Sequence, residues 1–207
     1  MKHFAPRPLS MIAGIVTILV MPSTAPAQTL SGSALVSALK KGGYVLVLRH
    51  ASSPREAPDE RMANPDNVTR ERQLDEAGRA GAAAMGEALR ALAIPIGGVL
   101  TSPTYRARET VRFAQWPGPQ SVAELGDRGQ SMQGVTEADG AWLRSRVMQF
   151  PAGTNTILVT HLPNIMRAFP QHASGVGDGD TLVFGPDGQG GAMRVARVTI
   201  AEWPTLR

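Results

Sequence analysis

Two histidines and two arginines carry the chemical potential of this chain, and they follow three short apolar runs. Arg49 and His50 come after Tyr44-Val-Leu-Val-Leu48, Ser102 to Arg106 after Gly97-Gly-Val-Leu-Thr101, and His161 after Thr156-Ile-Leu-Val-Thr160. Short continuous runs rich in β-branched residues read as strands buried on both faces of a sheet. Such strands deliver their polar neighbours to one edge, beyond the carboxyl ends, where α/β sheets bind ligands. Two imidazoles and two guanidiniums gathered there repel one another, which depresses the imidazole pKa values unless an anion fills the space. A phosphoryl group suits that cup. Arginine forks pair bidentately with its oxygens, and several positive donors neutralise the charge that builds on a group in transfer.

The segments between the strands must position these groups. Residues 31–41 place Leu35, Val36 and Leu39 at helical spacing, and Gly42-Gly43 ends that helix. Residues 51–72 carry prolines, charges and no apolar period, so they form a long surface loop, of the length that usually serves a site. A helix over 75–93 sets Met85, Leu89 and Leu92 on one stripe and stops before Pro95. Ser102-Pro103 reads as an N-cap with proline at the first helical position, opening a helix to about Gln115. Gln120 to Ala123 is a candidate short strand, and residues 137–149 and 162–169 are helices, the second with Pro163 in its first turn. Thr181 to Phe184 and Ala192 to Ile200 pair as strands through Gly185-Pro-Asp-Gly188. Strands alternating with helices predict a layered α/β sheet.

The 207 residues hold 43% hydrophobic and 18% charged residues, with a net charge of +4, the balance of one folded domain. The absence of cysteine excludes disulfides, thiolate zinc sites, iron–sulfur clusters and a cysteine nucleophile. Lys2 and Arg7, the apolar run from Met11 to Met21 and the small residues up to Ala27 read as a signal peptide over residues 1–27. That run is shorter than the ~20 residues of a membrane span. The expected product is a periplasmic or secreted domain, residues 28–207, with no stable membrane span. Losing Lys2 and Arg7 leaves a charge of +2, and no basic block interleaved with aromatics marks a nucleic-acid partner. Oligomeric state stays open.

Most of the domain resembles the histidine phosphatase superfamily, the phosphoglycerate mutase-like group. Leu48-Arg49-His50-Ala51 is similar to its Arg-His-Gly signature, with Ala51 where glycine is usual, and Leu74 with Gly78 matches its Leu-x-x-x-Gly helix entry. Ser102-Pro103-x-x-Arg106-Ala107-x-x-Thr110 resembles its Ser-x-x-x-Arg-Ala-x-x-Thr segment, and Thr160-His161 its second-histidine strand. The resemblance implies a three-layer α/β/α sandwich with a mostly parallel central sheet. It implies a phosphatase in which His50 attacks phosphorus to give a phosphohistidine that water hydrolyses, with Arg49, Arg106 and His161 holding the phosphoryl oxygens and no metal or other cofactor. The ligand is a small phosphorylated substrate or inorganic phosphate.

The same resemblance calls for a carboxylic acid after the next strand, and Asp127 and Glu124 both qualify, with Asp127 preferred. Ser53 either touches phosphate or opens the loop. Arg72 either contacts substrate from the end of the loop or pairs with Glu76 at i,i+4, with the pair preferred, and His172 is assigned to the exposed surface. Substrate choice is expected to lie in residues 51–72 and 126–139. Two other functions stay open: a phosphate- or polyanion-binding protein of this fold without turnover, and, with less support, a phosphoglycerate mutase, since Glu56 replaces the asparagine of true mutases.

Overall fold

The computed structural model describes residues 1–3, 29–128 and 134–207. Residues 4–27 of the expected signal peptide and 129–133 of the 126–139 segment lie outside the described residues. The strands are β1 (Tyr44–Arg49), β2 (Ile96–Thr101), β3 (Gln120–Ser121), β4 (Asn155–Thr160), β5 (Thr181–Pro186) and β6 (Ala192–Val198). The helices are α1 (Gly32–Lys41), α2 (Glu76–Ala91), α3 (Tyr105–Ala114), α4 (Glu137–Val147), α5 (Leu162–Ala168) and α6 (Pro170–Ala173).

The six strands form one sheet in the order β3-β2-β4-β1-β5-β6. β1, β2, β3 and β4 run parallel, while β5 is antiparallel to both β1 and β6. Alternation along β1 explains its unbroken apolar run. Leu46 and Leu48 face a core shared with α1, α2 and α3, whereas Val45 and Val47 face a second core under α4, α5 and α6. A strand covered on both faces has no polar side to show. The result is the α/β/α sandwich with a mostly parallel sheet. Burial of each Leu, Val or Ile side chain stabilises it by roughly 1.5–3 kcal/mol.

Register sets the level of the strand tips. Arg49 lies opposite Thr160, and Thr101 opposite Val159. His50, His161 and Ser102 are each the first residue past their strand, so the central three strands deliver them to one edge. The ladder even continues into two of these residues, with His50 N–H donating to the Thr160 carbonyl at 3.0 Å and Ser102 N–H to that of Val159 at 2.9 Å.

Three sequence expectations need correction. Helix α3 starts at Tyr105 with Thr104 as its N-cap, so Ser102 is no cap and Pro103 precedes the helix. Ser102 instead turns its hydroxyl toward His161 at 2.8 Å. Strand β3 is only two residues long, and Gly185 and Pro186 continue β5 rather than forming the turn.

Helix α2 packs closely on α3 because Gly86 has no side chain: a Cβ there would sit 2.0 Å from the Ala114 carbonyl oxygen. At Gly81 a Cβ would meet only the mobile end of Ile200, at 3.0 Å. Gly86→Ala should therefore lower stability by roughly 1–3 kcal/mol through overpacking, while Gly81→Ala should cost little because of the ~0.5–1 kcal/mol helix gain over glycine. Urea unfolding midpoints test the pair; equal shifts would contradict the close packing.

Candidate active site

Backbone contacts fix the first strand tip before any side chain acts. Ala51 N–H donates to Thr110 Oγ1 at 3.1 Å, and the Thr110 hydroxyl donates to the Arg106 carbonyl at 2.9 Å, which ties the loop after β1 to α3. Asp75, the N-cap of α2, accepts from Gly78 N–H and from the Ser52 hydroxyl, both at 2.7 Å. Gly78 is required at that spot, since a Cβ would lie 2.1 Å from the Ser52 carbonyl oxygen. The alanine at 51 needs no glycine conformation: its backbone is outside the left-handed region, and its methyl is buried with Leu74 and Ala82.

Arg106 is the hub of the side chains. Its Nε donates to His50 Nε2 at 3.2 Å, and one terminal nitrogen reaches His161 Nδ1 at 3.0 Å and also pairs with Asp127. The Asp127 carboxylate lies 3.4 Å from His161 Nδ1. The two imidazole centroids are 5.1 Å apart and tilted by 59°. All four side chains are buried, Arg106 at 2% exposure. A buried guanidinium without a counter-charge costs several kcal/mol, so this hub demands anionic company.

The hydrogen bonds assign the protons. His50 Nδ1–H donates to the Ala51 carbonyl at 2.8 Å, which leaves the Nε2 lone pair facing Arg106 and the cavity. His161 accepts at Nδ1 from Arg106, so its Nε2–H donates to Ser102 Oγ at 2.8 Å, with Thr104 Oγ1 at 3.3 Å. Burial first, and Arg106 second, push the His50 pKa down to about 3. Burial also leads for His161, held well below the ordinary imidazole value, with His50 and Arg106 adding to it. The sequence-based expectation named charge repulsion alone; desolvation is the larger cause.

The remaining arginines surround a cavity of about 300 Å³ lined by Arg49, His50, Arg55, Arg72, Asp127 and His161, among others. Arg49 donates to the Val176 carbonyl at 2.9 Å and pairs with Asp178 at 2.5 Å. Burial raises the Asp178 carboxyl pKa, against the pull of Arg49 and Arg72. Arg72 corrects the assignment made from spacing. It forms no ion pair with Glu76 and instead donates to the carbonyls of Ser53, at 3.0 Å, and Pro54, facing the same cavity as His50. The i,i+4 spacing to Glu76 counts only inside a helix, and Arg72 lies before α2, which starts at Glu76.

Glu124 and Ser53 stand apart from this group. The Glu124 side chain makes no hydrogen bond or ion pair with a described residue, whereas Asp127 lines the cavity. Ser53 Oγ donates to the Pro54 carbonyl at 3.3 Å and touches none of the site side chains. His172 is half-buried near Phe184, not exposed as expected. Sequence reasoning missed Asp178 and Glu109, whose buried carboxylate accepts from Leu74 N–H at 2.8 Å and braces the long loop. Neither belongs to a recognisable motif. Among the described residues, no group of three or more His, Asp or Glu gathers as a metal site would need.

A folded-state pKa of about 3 for His50 lies below the ~6.5 of an unfolded imidazole. The unfolded chain therefore takes up the proton first, and stability falls as pH drops from about 6.5 toward 3, by up to ~1.4 kcal/mol per pH unit. Urea midpoints measured from about pH 7 to about pH 4 should decline less steeply in His50→Gln than in the wild type. Parallel declines would contradict a neutral, buried His50.

No family model matches the sequence, and no curated protein does. Solved structures do. The protein histidine phosphatase SixA complexed with tungstate is 16% identical, with 77% of this chain and 98% of that chain covered at a TM-score of 0.54. A putative phosphohistidine phosphatase SixA from Agrobacterium tumefaciens is 18% identical over 76% of this chain and 99% of that one, also at 0.54. A phosphoserine phosphatase variant from Entamoeba histolytica, in complex with phosphoserine, is 10% identical over 76% and 97%, at 0.51. With its six-stranded sheet and its layer order, this chain has the phosphoglycerate mutase-like fold.

Proposed function

We propose that the protein is an exported histidine phosphatase, of the acid phosphatase type, that hydrolyses a phosphomonoester or a phosphohistidine without a metal. The observation that carries this is the neutral His50 ring, whose Nε2 lies beside the Arg106 guanidinium in a cavity of about 300 Å³ lined by Arg49, Arg72 and His161. The tungstate-bound and phosphoserine-bound neighbours support the same class of ligand. Export rests on residues 1–27.

In the first step the Nε2 lone pair of His50 attacks phosphorus, a P–N bond forms and the P–O bond to the leaving group breaks. Arg49 and Arg106 hold the non-bridging oxygens, and His161 joins them as a donor once the anion draws a proton onto its Nδ1, so that these donors meet the charge as it develops. The Ala51 carbonyl takes up the positive charge on the imidazole through Nδ1–H. The incoming phosphate replaces the Asp127 carboxylate at Arg106 and hands it a proton, which Asp127 passes to the leaving oxygen as the P–O bond breaks; its position on the cavity wall, which Glu124 does not share, supports that role. In the second step water attacks phosphorus, Asp127 takes its proton back, the P–N bond breaks and inorganic phosphate leaves. Splitting one difficult displacement into two is the gain of covalent catalysis.

Wild-type protein should hydrolyse an aryl phosphate equally well with and without a chelator. His50→Ala should abolish turnover, and Arg106→Gln should lower it by about 10²-fold or more, as for loss of an oxyanion donor. Rapid denaturing quench with labelled substrate should trap phosphate on His50 as an acid-labile, base-stable adduct. Undiminished turnover in His50→Ala would overturn the assignment.

A further inference from the structure

A second cavity of about 610 Å³ adjoins the His50 pocket, and the two share Arg55, Arg72 and Asp127 as walls. The outer cavity begins where the leaving group must depart, at Arg106 and Asp127. Its apolar lining comes from small residues, Ala57, Pro103 and Ala123, which leave room for an organic group. Its volume falls within the ~300–1,000 Å³ of small-molecule sites.

Charge in this outer space is strongly one-sided. Arg55, Arg72 and Arg128 line it. The two acidic residues on the same wall are already engaged: Glu71 accepts from Tyr105 N–H at 2.9 Å and from the Thr69 hydroxyl at 3.2 Å, and Asp127 pairs with Arg106. Arg128 pairs with Asp139 at 3.1 Å. Arg55 is different, for it makes no hydrogen bond or ion pair with any described residue and stands between the two cavities. Arg72 is held in place through the Ser53 and Pro54 carbonyls, which presents its guanidinium to both spaces without a search over rotamers.

We propose that this outer cavity is an anion subsite for the leaving group, so that the preferred substrate is a small phosphomonoester carrying a second negative charge, carboxylate or phosphate. This rests on the phosphatase function above, and it adds the chemical class of the substrate. Arg55 is the specificity-determining residue, and Arg72 bridges the transferred phosphate and the second anion. A charge-assisted contact to the exposed, solvent-screened Arg55 is worth about tenfold in affinity.

Binding tests this independently of turnover. By calorimetry the wild type should bind para-carboxybenzylphosphonate about tenfold more tightly than its neutral para-carbamoyl isostere. A para-phosphonomethyl analogue separates the two anions: whichever binds more tightly names the group the subsite takes. Arg55→Gln should bring the charged and neutral ligands to within about twofold, with the charged one losing several-fold more affinity than the neutral one, whose phosphonate Arg55 also faces. Equal wild-type affinities, or a preference that survives Arg55→Gln, would overturn the subsite. Aryl phosphate turnover on the same proteins keeps the two claims apart, since its absence would sink the phosphatase assignment and leave the binding preference standing.

Discussion

A buried guanidinium that cannot be left alone governs this molecule. Arg106 sits at 2% exposure on the first turn of α3, with its Nε donating to His50 and one terminal nitrogen engaging His161 and Asp127. Two of these partners are neutral imidazoles, so Asp127 supplies the formal negative charge in direct contact. Arg49, Arg55 and Arg72 stand around the same space, and among the described residues Asp127 and Asp178 oppose them. An arrangement this rich in cations is most stable with a multiply charged oxyanion inside it.

The scaffold exists to hold that arrangement still. Parallel pairing of β1, β4 and β2 levels the strand tips, and the ladder bonds of His50 and Ser102 extend the sheet into the site itself. Thr110 and Asp75 then staple the loop after β1 to two separate helices. Desolvation of both imidazoles follows from this packing, and it has a chemical use. An imidazole that stays neutral keeps its lone pair available as a nucleophile, and the carbonyl of Ala51 decides which nitrogen offers it.

Much of this was legible in the sequence because the information is local there. Apolar runs of β-branched residues locate β1, β2 and β4, and the polar residues directly after them are the ones brought together. Of the two carboxylates expected after the next strand, Asp127 lines the cavity and pairs with Arg106, while Glu124 does neither. What escaped depends on tertiary contact. Arg72 acts across the long loop through carbonyls that carry no residue-type signal. Asp178 reaches the site from the connection between α6 and β5. Ser102 looked like a helix cap because it precedes a proline, yet the helix begins at Tyr105, and the Ser102 hydroxyl is shared between Thr104 N–H and a histidine from another strand.

The most direct test of this electrostatic design follows the imidazoles while inorganic phosphate is added. Nitrogen chemical shifts of His50 and His161 report protonation and hydrogen bonding at each ring atom. Phosphate should move the Nε2 signal of His50 and the Nδ1 signal of His161 together, raise the His50 pKa above about 3, and lose both effects in Arg106→Gln. Binding of phosphate that leaves both rings unperturbed would contradict a shared oxyanion site.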